Sequence, residues 1–275
     1  MTMQHYSEVG RDDDGMSLTI LLHSSKTMTP TESKQSVSRP QFLHEASTLA
    51  EAVKRLTDMQ LQQCMHVSPK LAQAVREMYA SWTPDSSPYP AIESFRGDIY
   101  SGLRARAFTV DQARFAQKHL VVLSGLYGLL RPYDGIQPYR LEAAYKIPLQ
   151  NARNVYDFWG SRLAETLPSK GPIINVTSGE YEKLIVPYLR KERIITPKFL
   201  SRVAGKPEPV FVAVHAKIAR GAYARWLIQR GVDSAEDLDA FNDLGYVYQP
   251  ELSTPRQPVY ICDSFQGIGL SQRLA

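Results

Sequence analysis

Short polar segments follow four of the apolar runs in this sequence, and each segment combines small residues with charged ones. In sheet proteins, ligands often bind where strand ends meet loops and the starts of helices. Each segment alone has an ordinary explanation, since polar residues also cap helices and solvate strand ends. Together they predict one shared pocket, lined by Ser24 and Lys26, by Ser124 with Arg131 and Arg140, by Glu180 and Tyr181, and by His215, Lys217 and Arg220.

The segment 215–226, HAKIARGAYARW, predicts a helix with a cationic face. Lys217 falls in the first turn, where a cation opposes the helix dipole unless an anion binds the free N–H groups. At roughly 100° per residue, Lys217, Arg220 and Arg225 lie on one face about 140° wide. This spacing suits contact with phosphate, and a basic face covered only by water is the alternative.

The segment 95–106, FRGDIYSGLRAR, places Arg96 two positions before Asp98. Asp98 is a candidate proton acceptor, or a group that orients a neighbouring cation. A turn residue before the next apolar position explains Asp98 equally well. Arg96 is therefore a candidate anion-binding residue, and the role of Asp98 stays open.

The segment 123–140, LSGLYGLLRPYDGIQPYR, spaces Arg131 and Arg140 between glycines and prolines. Glycines permit close approach of the backbone, and prolines restrict its conformation. The pattern favours a rigid loop that aims charged groups at a partner.

Familiar catalytic and metal-binding motifs are absent from the sequence. It contains no phosphate-binding P-loop, dinucleotide fingerprint, nucleophile elbow or HExxH pair. Cys64 and Cys262 lie far apart, and no histidine has metal-ligand spacing with another. We therefore expect neither a metal site nor a cofactor.

The charge distribution is more informative than the net charge of +4. Residues 183–230 contain eleven Lys or Arg against two acidic residues, whereas residues 231–275 contain seven acidic residues and two basic ones. This asymmetry predicts one positive surface, unless it is only a solvated basic face. No apolar run approaches the length of a membrane span, so we expect a cytoplasmic protein without a membrane partner.

Periodicity and capping residues predict the main elements of secondary structure. Helices are expected at 41–57, after the caps Ser68, Thr109 and Asn154, and at 216–230. Strands are expected at 18–22, 119–123, 172–176, 193–199 and 210–214, with a hairpin formed by 246–249 and 258–262.

The elements do not alternate strictly between strand and helix. This order predicts an α+β fold, in which helices flank a mixed sheet in a single compact domain over residues 16–275. Residues 1–15 contain three consecutive acidic residues and almost nothing apolar. They are expected to form a disordered tail.

Taken together, these motifs resemble the YaaA family of bacterial peroxide-stress proteins. The matching segments occur in family order: LHSSKTM at 22–28, FRGDIYSGL at 95–103, LSGLYGLLRPYDGIQPYRLE at 123–142, VYDFWG at 155–160, NVTSGEYEK at 175–183, HAKIARG at 215–221 and FNDLGY at 241–246. In the first segment, Ser25 precedes Lys26 without the proline that is usual in the family.

The resemblance implies a compact α+β domain with a positively charged cleft. It also implies a cytoplasmic role in limiting peroxide damage, associated with lower free iron and with DNA binding. The family positions implied to line the cleft are Lys26, Asp98, Ser124, Arg131, Arg140, Glu180, Tyr181, Lys217 and Arg220.

DNA binding without sequence specificity is the preferred hypothesis. The candidate contacts to DNA or another anion are Lys26, Arg96, Ser124, Arg131, Arg140, Lys217, Arg220 and Arg225. The alternative is an enzyme that acts on a small anionic or nucleobase-like substrate. A DNA groove does not require acidic residues and a tyrosine beside its cations, whereas acid–base chemistry does. The candidate catalytic residues are Lys26, Asp98, Glu180, Tyr181 and Lys217.

Overall fold

A computed structural model of the chain describes residues 17–33, 35–86 and 88–267. The expected tail at 1–15 lies outside the described residues. Among the described helices, none is long and apolar enough to span a bilayer.

Strands and helices follow one another in an irregular order along the described residues. The strands are β1 (Thr19–His23), β2 (Thr27–Met28), β3 (Tyr89–Pro90), β4 (Phe95–Arg96), β5 (Leu120–Ser124), β6 (Gly128–Leu130), β7 (Gly135–Ile136), β8 (Ile173–Asn175), β9 (Ile194–Ile195), β10 (Lys198–Ser201), β11 (Tyr246–Tyr248) and β12 (Val259–Cys262). The α-helices are α1 (Leu43–Lys54), α2 (Asp58–Met65), α3 (Pro69–Ala80), α4 (Ala91–Ser94), α5 (Asp98–Leu103), α6 (Val110–His119), α7 (Val155–Trp159), α8 (Arg162–Glu165), α9 (Gly179–Glu182) and α10 (Ala213–Arg230). Short 3-10 turns occupy Ala105–Ala107, Val186–Tyr188, Lys191–Arg193, Leu238–Ala240 and Pro250–Leu252.

The main sheet has five strands in the order β6-β5-β1-β8-β9. β1 is parallel to both β5 and β8, and β9 is parallel to β8, whereas β6 returns antiparallel to β5. The central strand β1 is fully buried at Ile20, Leu21 and Leu22, as expected for a parallel strand covered on both faces. The expected combination of helices with a mixed sheet is confirmed, and the carboxyl ends of β1, β5 and β8 meet at one edge.

The second sheet has the order β10-β12-β11. The antiparallel pair of β11 and β12 confirms the expected terminal hairpin. The strand expected at 193–199 divides into β9 and β10, which belong to different sheets. The strand expected at 210–214 is wrong, because Val210 makes only an isolated bridge with Ser201 and α10 begins at Ala213.

Side-chain caps account for several helix starts. The side chains of Ser68 and Asn154 accept backbone N–H groups of their helices, and Thr109 forms the expected capping box with Gln112. The helix expected after Asn154 is shorter than predicted, because Gly160 takes a positive φ of 53° and separates α7 from α8. Capping residues thus predict the starts of these helices more reliably than the sequence predicts their ends.

Helices α5 and α10 pack backbone to backbone through two glycines. A Cβ atom on Gly221 would lie 1.8 Å from the Ile99 carbonyl oxygen, and one on Gly102 would lie 2.0 Å from the Ile218 carbonyl oxygen. Both distances are far inside van der Waals contact, so only glycine fits at either position. This contact holds the first turn of α5 close to the first half of α10.

Replacement of Gly221 by alanine is expected to destabilise the fold. The obstructing atom is a backbone carbonyl that cannot rotate away, so overpacking should lower the free energy of unfolding by about 1–3 kcal/mol. Chemical denaturation of Gly221→Ala measures this loss. Gly179→Ala is the matched control, because its Cβ would meet only a side-chain oxygen at 3.9 Å. Equal stability of the two variants would contradict the proposed packing.

Candidate functional site

The carboxyl edge of the main sheet brings together polar residues from distant segments. We call this group the strand-end cluster. Its members are His23, Ser24, Lys26, Arg140, Glu142, Glu180, Tyr181, Lys217 and Arg220. They meet because the parallel strands β1 and β8 end at the same edge and α10 starts close to it. The cluster therefore combines four cations, two carboxylates, a histidine and two hydroxyl groups.

A buried hydrogen-bond chain runs through the centre of the cluster. The Tyr181 hydroxyl donates to Glu142 Oε2 at 3.1 Å and lies 3.1 Å from Ser24 Oγ. All three side chains are at most 5% exposed. An ionised Glu142 accepts a hydrogen bond from the Tyr181 hydroxyl. Because a hydroxyl carries a single proton, Ser24 must then donate its own hydrogen bond to the Tyr181 oxygen. Protonation of Glu142 allows the reverse direction, so the direction of these hydrogen bonds follows the protonation state of Glu142.

The pKa of Glu142 is raised from 4.5 to about 7, mainly by burial and also by the nearby Glu180 carboxylate. Lys26, the Tyr181 hydrogen bond and Arg140 act in the opposite direction and limit this rise. Glu180 is itself fixed, because its Oε1 accepts the Ala144 N–H at 3.0 Å. Glu142 thus populates both protonation states near neutral pH, which is the property of a general acid–base group.

His23 lies on the other side of Tyr181, with its ring stacked on the tyrosine ring at a centroid distance of 4.9 Å. The pKa of His23 is lowered from 6.5 to about 4, mainly by burial and also by the positive charges of Arg220 and Lys217. A hydrogen bond to the Ser24 carbonyl opposes these effects only partly. His23 is therefore neutral at physiological pH.

The four cations of the cluster differ in their freedom to move. Lys26 and Lys217 are exposed, whereas Arg140 and Arg220 are partly buried. Arg140 donates from Nη1 to the Lys26 carbonyl at 3.3 Å. Burial lowers the pKa of Arg220, and the Glu182 carboxylate partly offsets this effect. Two partly buried guanidinium groups and two exposed ammonium groups suit the binding of an anion.

Comparison with known proteins identifies the family. A family model described as peroxide stress protein YaaA matches residues 18–252. The chain belongs to the YaaA family. A UPF0246 protein of Salinispora tropica is 44% identical over 256 residues, covering 92% of this chain and 97% of the relative. A UPF0246 protein of Roseobacter denitrificans is 36% identical over 251 residues, covering 88% of this chain and 97% of the relative.

Six of the residues predicted from the YaaA-like motifs meet in the strand-end cluster: Lys26, Arg140, Glu180, Tyr181, Lys217 and Arg220. Asp98 begins α5 after Gly97, whose Cβ position lies 3.2 Å from Ser25 Oγ, so Asp98 stands beside the end of β1. Ser124 is fully buried, lies 2.7 Å from the Tyr139 hydroxyl and accepts the Tyr127 N–H. It shapes the sheet edge and does not face solvent.

Three predicted arginines of this YaaA-family chain have other partners. Arg96 donates to the Glu93 and Phe95 carbonyls and to Thr31, which holds a loop. Arg225 is buried and bonds the Gly102 carbonyl and Asp243, because α10 packs against α5 at this point. Sharing a helical face with Lys217 therefore does not bring Arg225 to the surface.

Arg131 lies away from the strand-end cluster because β6 runs antiparallel to β5 and carries the chain back from the carboxyl edge. Its guanidinium pairs with buried Asp134 and reaches the Arg39 carbonyl. A surface cavity of about 300 Å³ lies on this side, lined by residues that include Arg39, Leu43 and Pro84. The family loop thus contributes Arg140 to the cluster and Arg131 to a different surface.

The glycines of the 123–140 loop serve packing. A Cβ on Gly125 would lie 2.2 Å from the Leu141 carbonyl oxygen, and one on Gly128 would lie 2.8 Å from the Trp159 ring. Gly128 also has a positive φ of 67°. The Gly125 contact holds the segment at Leu141 close to the end of β5, which places Glu142.

Sequence reasoning passed over Glu142 and His23. Glu142 stands between buried Leu141 and buried Ala143 in the last part of the family motif. A carboxylate inside an apolar stretch is a signal of a perturbed acid. His23 ends an apolar strand and lies within the LHSSKTM segment, but its side chain was not assigned a role. Among the described residues, no group of three or more His, Cys, Asp or Glu side chains is arranged to hold a metal ion.

The ionisation of Glu142 is expected to destabilise the fold as pH rises. Because its folded pKa lies above 4.5, the stabilisation is fully present below pH 4.5 and is lost as pH rises through about 7. The glutamine variant has no such titration. The free energy of unfolding of Glu142→Gln, relative to the unsubstituted protein, should therefore increase by about 3 kcal/mol across this window.

Denaturant titrations of both proteins from acid to neutral pH measure this difference. His23 titrates with the opposite sign, and its contribution cancels because both proteins contain it. A constant difference across the window would show that Glu142 has an ordinary pKa.

Proposed function

We propose that this YaaA-family protein is an enzyme that performs acid–base chemistry on a small anionic substrate. The observation that supports the proposal is the buried chain of Glu142, Tyr181 and Ser24, in which Glu142 titrates near neutral pH. Perturbed acids in a polar cluster are found at functional sites more often than elsewhere. A surface that only binds phosphates has no use for such a group.

In the proposed reaction, the cations hold the negative group of the substrate. Arg140 and Arg220 supply the fixed part of this positive charge, and Lys26 and Lys217 close over the substrate from the exposed side. Preorganised charges of this kind stabilise a transition state without reorganisation at the moment of reaction.

Glu142 exchanges a proton with the substrate. The hydrogen bond between Tyr181 and Glu142 changes direction when Glu142 gains or loses this proton. Tyr181 stays neutral throughout, because burial and the neighbouring Glu142 raise its pKa well above the usual value. Glu180 keeps the pKa of Glu142 high enough for exchange at neutral pH. Asp98 is proposed to orient the start of this site from α5.

The distribution of the other basic residues also supports a local site. Several cations of the 183–230 block hold backbone or acidic partners: Arg190 and Arg193 bond carbonyls of the 169–171 loop, and Arg202 pairs with Asp263. They do not depend on a ligand for their positions. The basic cleft is therefore proposed to be confined to the cluster and its rim.

Replacement of Glu142 by glutamine is expected to reduce turnover strongly. Removing a general acid–base group typically costs about a hundredfold to ten-thousandfold in rate. The assay incubates the protein with a mixture of small phosphorylated and carboxylated metabolites and follows conversion by mass spectrometry. Glu208→Gln, an exposed carboxylate outside the cluster, is the control that should retain full activity. Conversion by Glu142→Gln at the unsubstituted rate would rule out this role.

DNA binding is the second candidate function. The exposed Lys26 and Lys217 at the rim support it, since flexible lysines suit contact with a phosphate backbone. Such binding should weaken steeply with salt, and Lys217→Ala should reduce the slope of log K against log salt by about 0.9. Fluorescence anisotropy with duplex DNA measures both effects, and Lys70→Ala provides an exposed control outside the cluster. A DNA affinity that changes neither with salt concentration nor in Lys217→Ala would count against a DNA interface.

A further inference from the structure

The hydrogen bonding of His23 fixes which ring nitrogen carries the proton. Nδ1 lies 2.8 Å from the Ser24 carbonyl oxygen, which can only accept, so Nδ1 must be the N–H donor. Because the ring is neutral, Nε2 then presents a lone pair. Nε2 is buried and has no hydrogen-bond partner among the described residues. A buried acceptor left unpaired is destabilising.

The ring cannot easily turn to relieve this cost. Tyr181 stacks on its face at 4.9 Å, and the Tyr100 hydroxyl donates to the His23 carbonyl at 2.9 Å. A flip of the ring would also break the bond to Ser24. His23 as a residue is nevertheless partly exposed. The fold thus holds an acceptor ready for a donor that it does not itself supply.

A second unpaired atom in the cluster has the opposite character. Arg140 Nε is buried without a partner among the described residues, although the same guanidinium donates to the Lys26 carbonyl. Arg140 Nε can only donate, whereas His23 Nε2 can only accept. A ligand that satisfies both atoms must offer an acceptor and a donor together.

We infer that the strand-end cluster selects an oxyanion that carries its own hydrogen-bond donor, and that His23 Nε2 accepts from this donor. Hydrogen phosphate is the simplest member of the class, since it keeps an O–H group at neutral pH. Sulfate has the same shape but keeps none, so its oxygen lone pairs would face the lone pair of Nε2. The cations attract both ions, whereas the His23 Nε2 acceptor favours hydrogen phosphate over sulfate. Such an oxyanion is the substrate class of the proposed enzyme, and its biological meaning rests on that proposed function.

Titration of the protein with inorganic phosphate and with sulfate at neutral pH tests the inference. Phosphate should bind about tenfold more tightly, because one hydrogen bond worth about 1.4 kcal/mol corresponds to that ratio. His23→Asn keeps an N–H donor near the position of Nδ1 and removes Nε2. In this variant the ratio should fall to near unity while sulfate affinity is retained.

Two control variants separate charge from the donor effect. Arg220→Gln should weaken both ions to a similar extent and leave the ratio of their affinities unchanged. His44→Asn replaces an exposed histidine outside the cluster and should change neither affinity. A measurement on the unsubstituted protein does not depend on whether the variants fold. The ¹⁵N NMR chemical shift of His23 Nε2 should change when phosphate is added and should stay constant when sulfate is added.

Equal affinity for the two ions, no saturable binding of either, or a phosphate preference that survives in His23→Asn would overturn the inference. Failure of the enzyme proposal gives a different result. A phosphate preference without turnover in the metabolite assay would refute the enzyme alone, whereas turnover with equal binding of the two ions would refute only this selectivity.

Discussion

The parallel pairing of β1 with β5 and β8 determines where every group of the cluster lies. Strands that run in the same direction end at the same edge, so residues as far apart in sequence as Ser24 and Tyr181 become neighbours there. The loop after β6 then returns to this edge with Arg140 and Glu142, and α10 begins beside it. A single topological constraint thus converts scattered polar segments into one cluster, with Tyr181 in contact with both its histidine and its buried acid.

Burial shifts the pKa values of the two titratable groups that contact Tyr181 in opposite directions. Burial favours the protonated form of Glu142 and the unprotonated form of His23, so both groups approach neutrality and the cations remain without full compensation. A site in this state gains more from an incoming anion than one whose charges are already paired. The arrangement lowers the stability of the fold without a ligand and favours the binding of an anion.

The sequence predicted the strands that form this edge and seven of the nine residues of the cluster, because apolar runs mark the strands and short polar segments mark the residues. It did not predict that Arg131 would leave the cluster, since the direction of β6 depends on pairing with β5 across a tight turn. Arg225 was misleading for a related reason: helical periodicity gives the face of a helix but not which part of that face another helix covers. Glu142 escaped notice because its chemistry comes from burial, which depends on the whole fold.

The glycine contact between α5 and α10 has a consequence for how the family can diversify. Tyr100 on α5 holds the backbone at His23, and Lys217 and Arg220 on α10 set its electrostatic surroundings. Since the two helices touch through backbone atoms, the spacing between these groups is already at its minimum and no side chain can adjust it. Substitution of residues on the rim can therefore change the chemistry of this site, whereas the distance between α5 and α10 leaves no room for change.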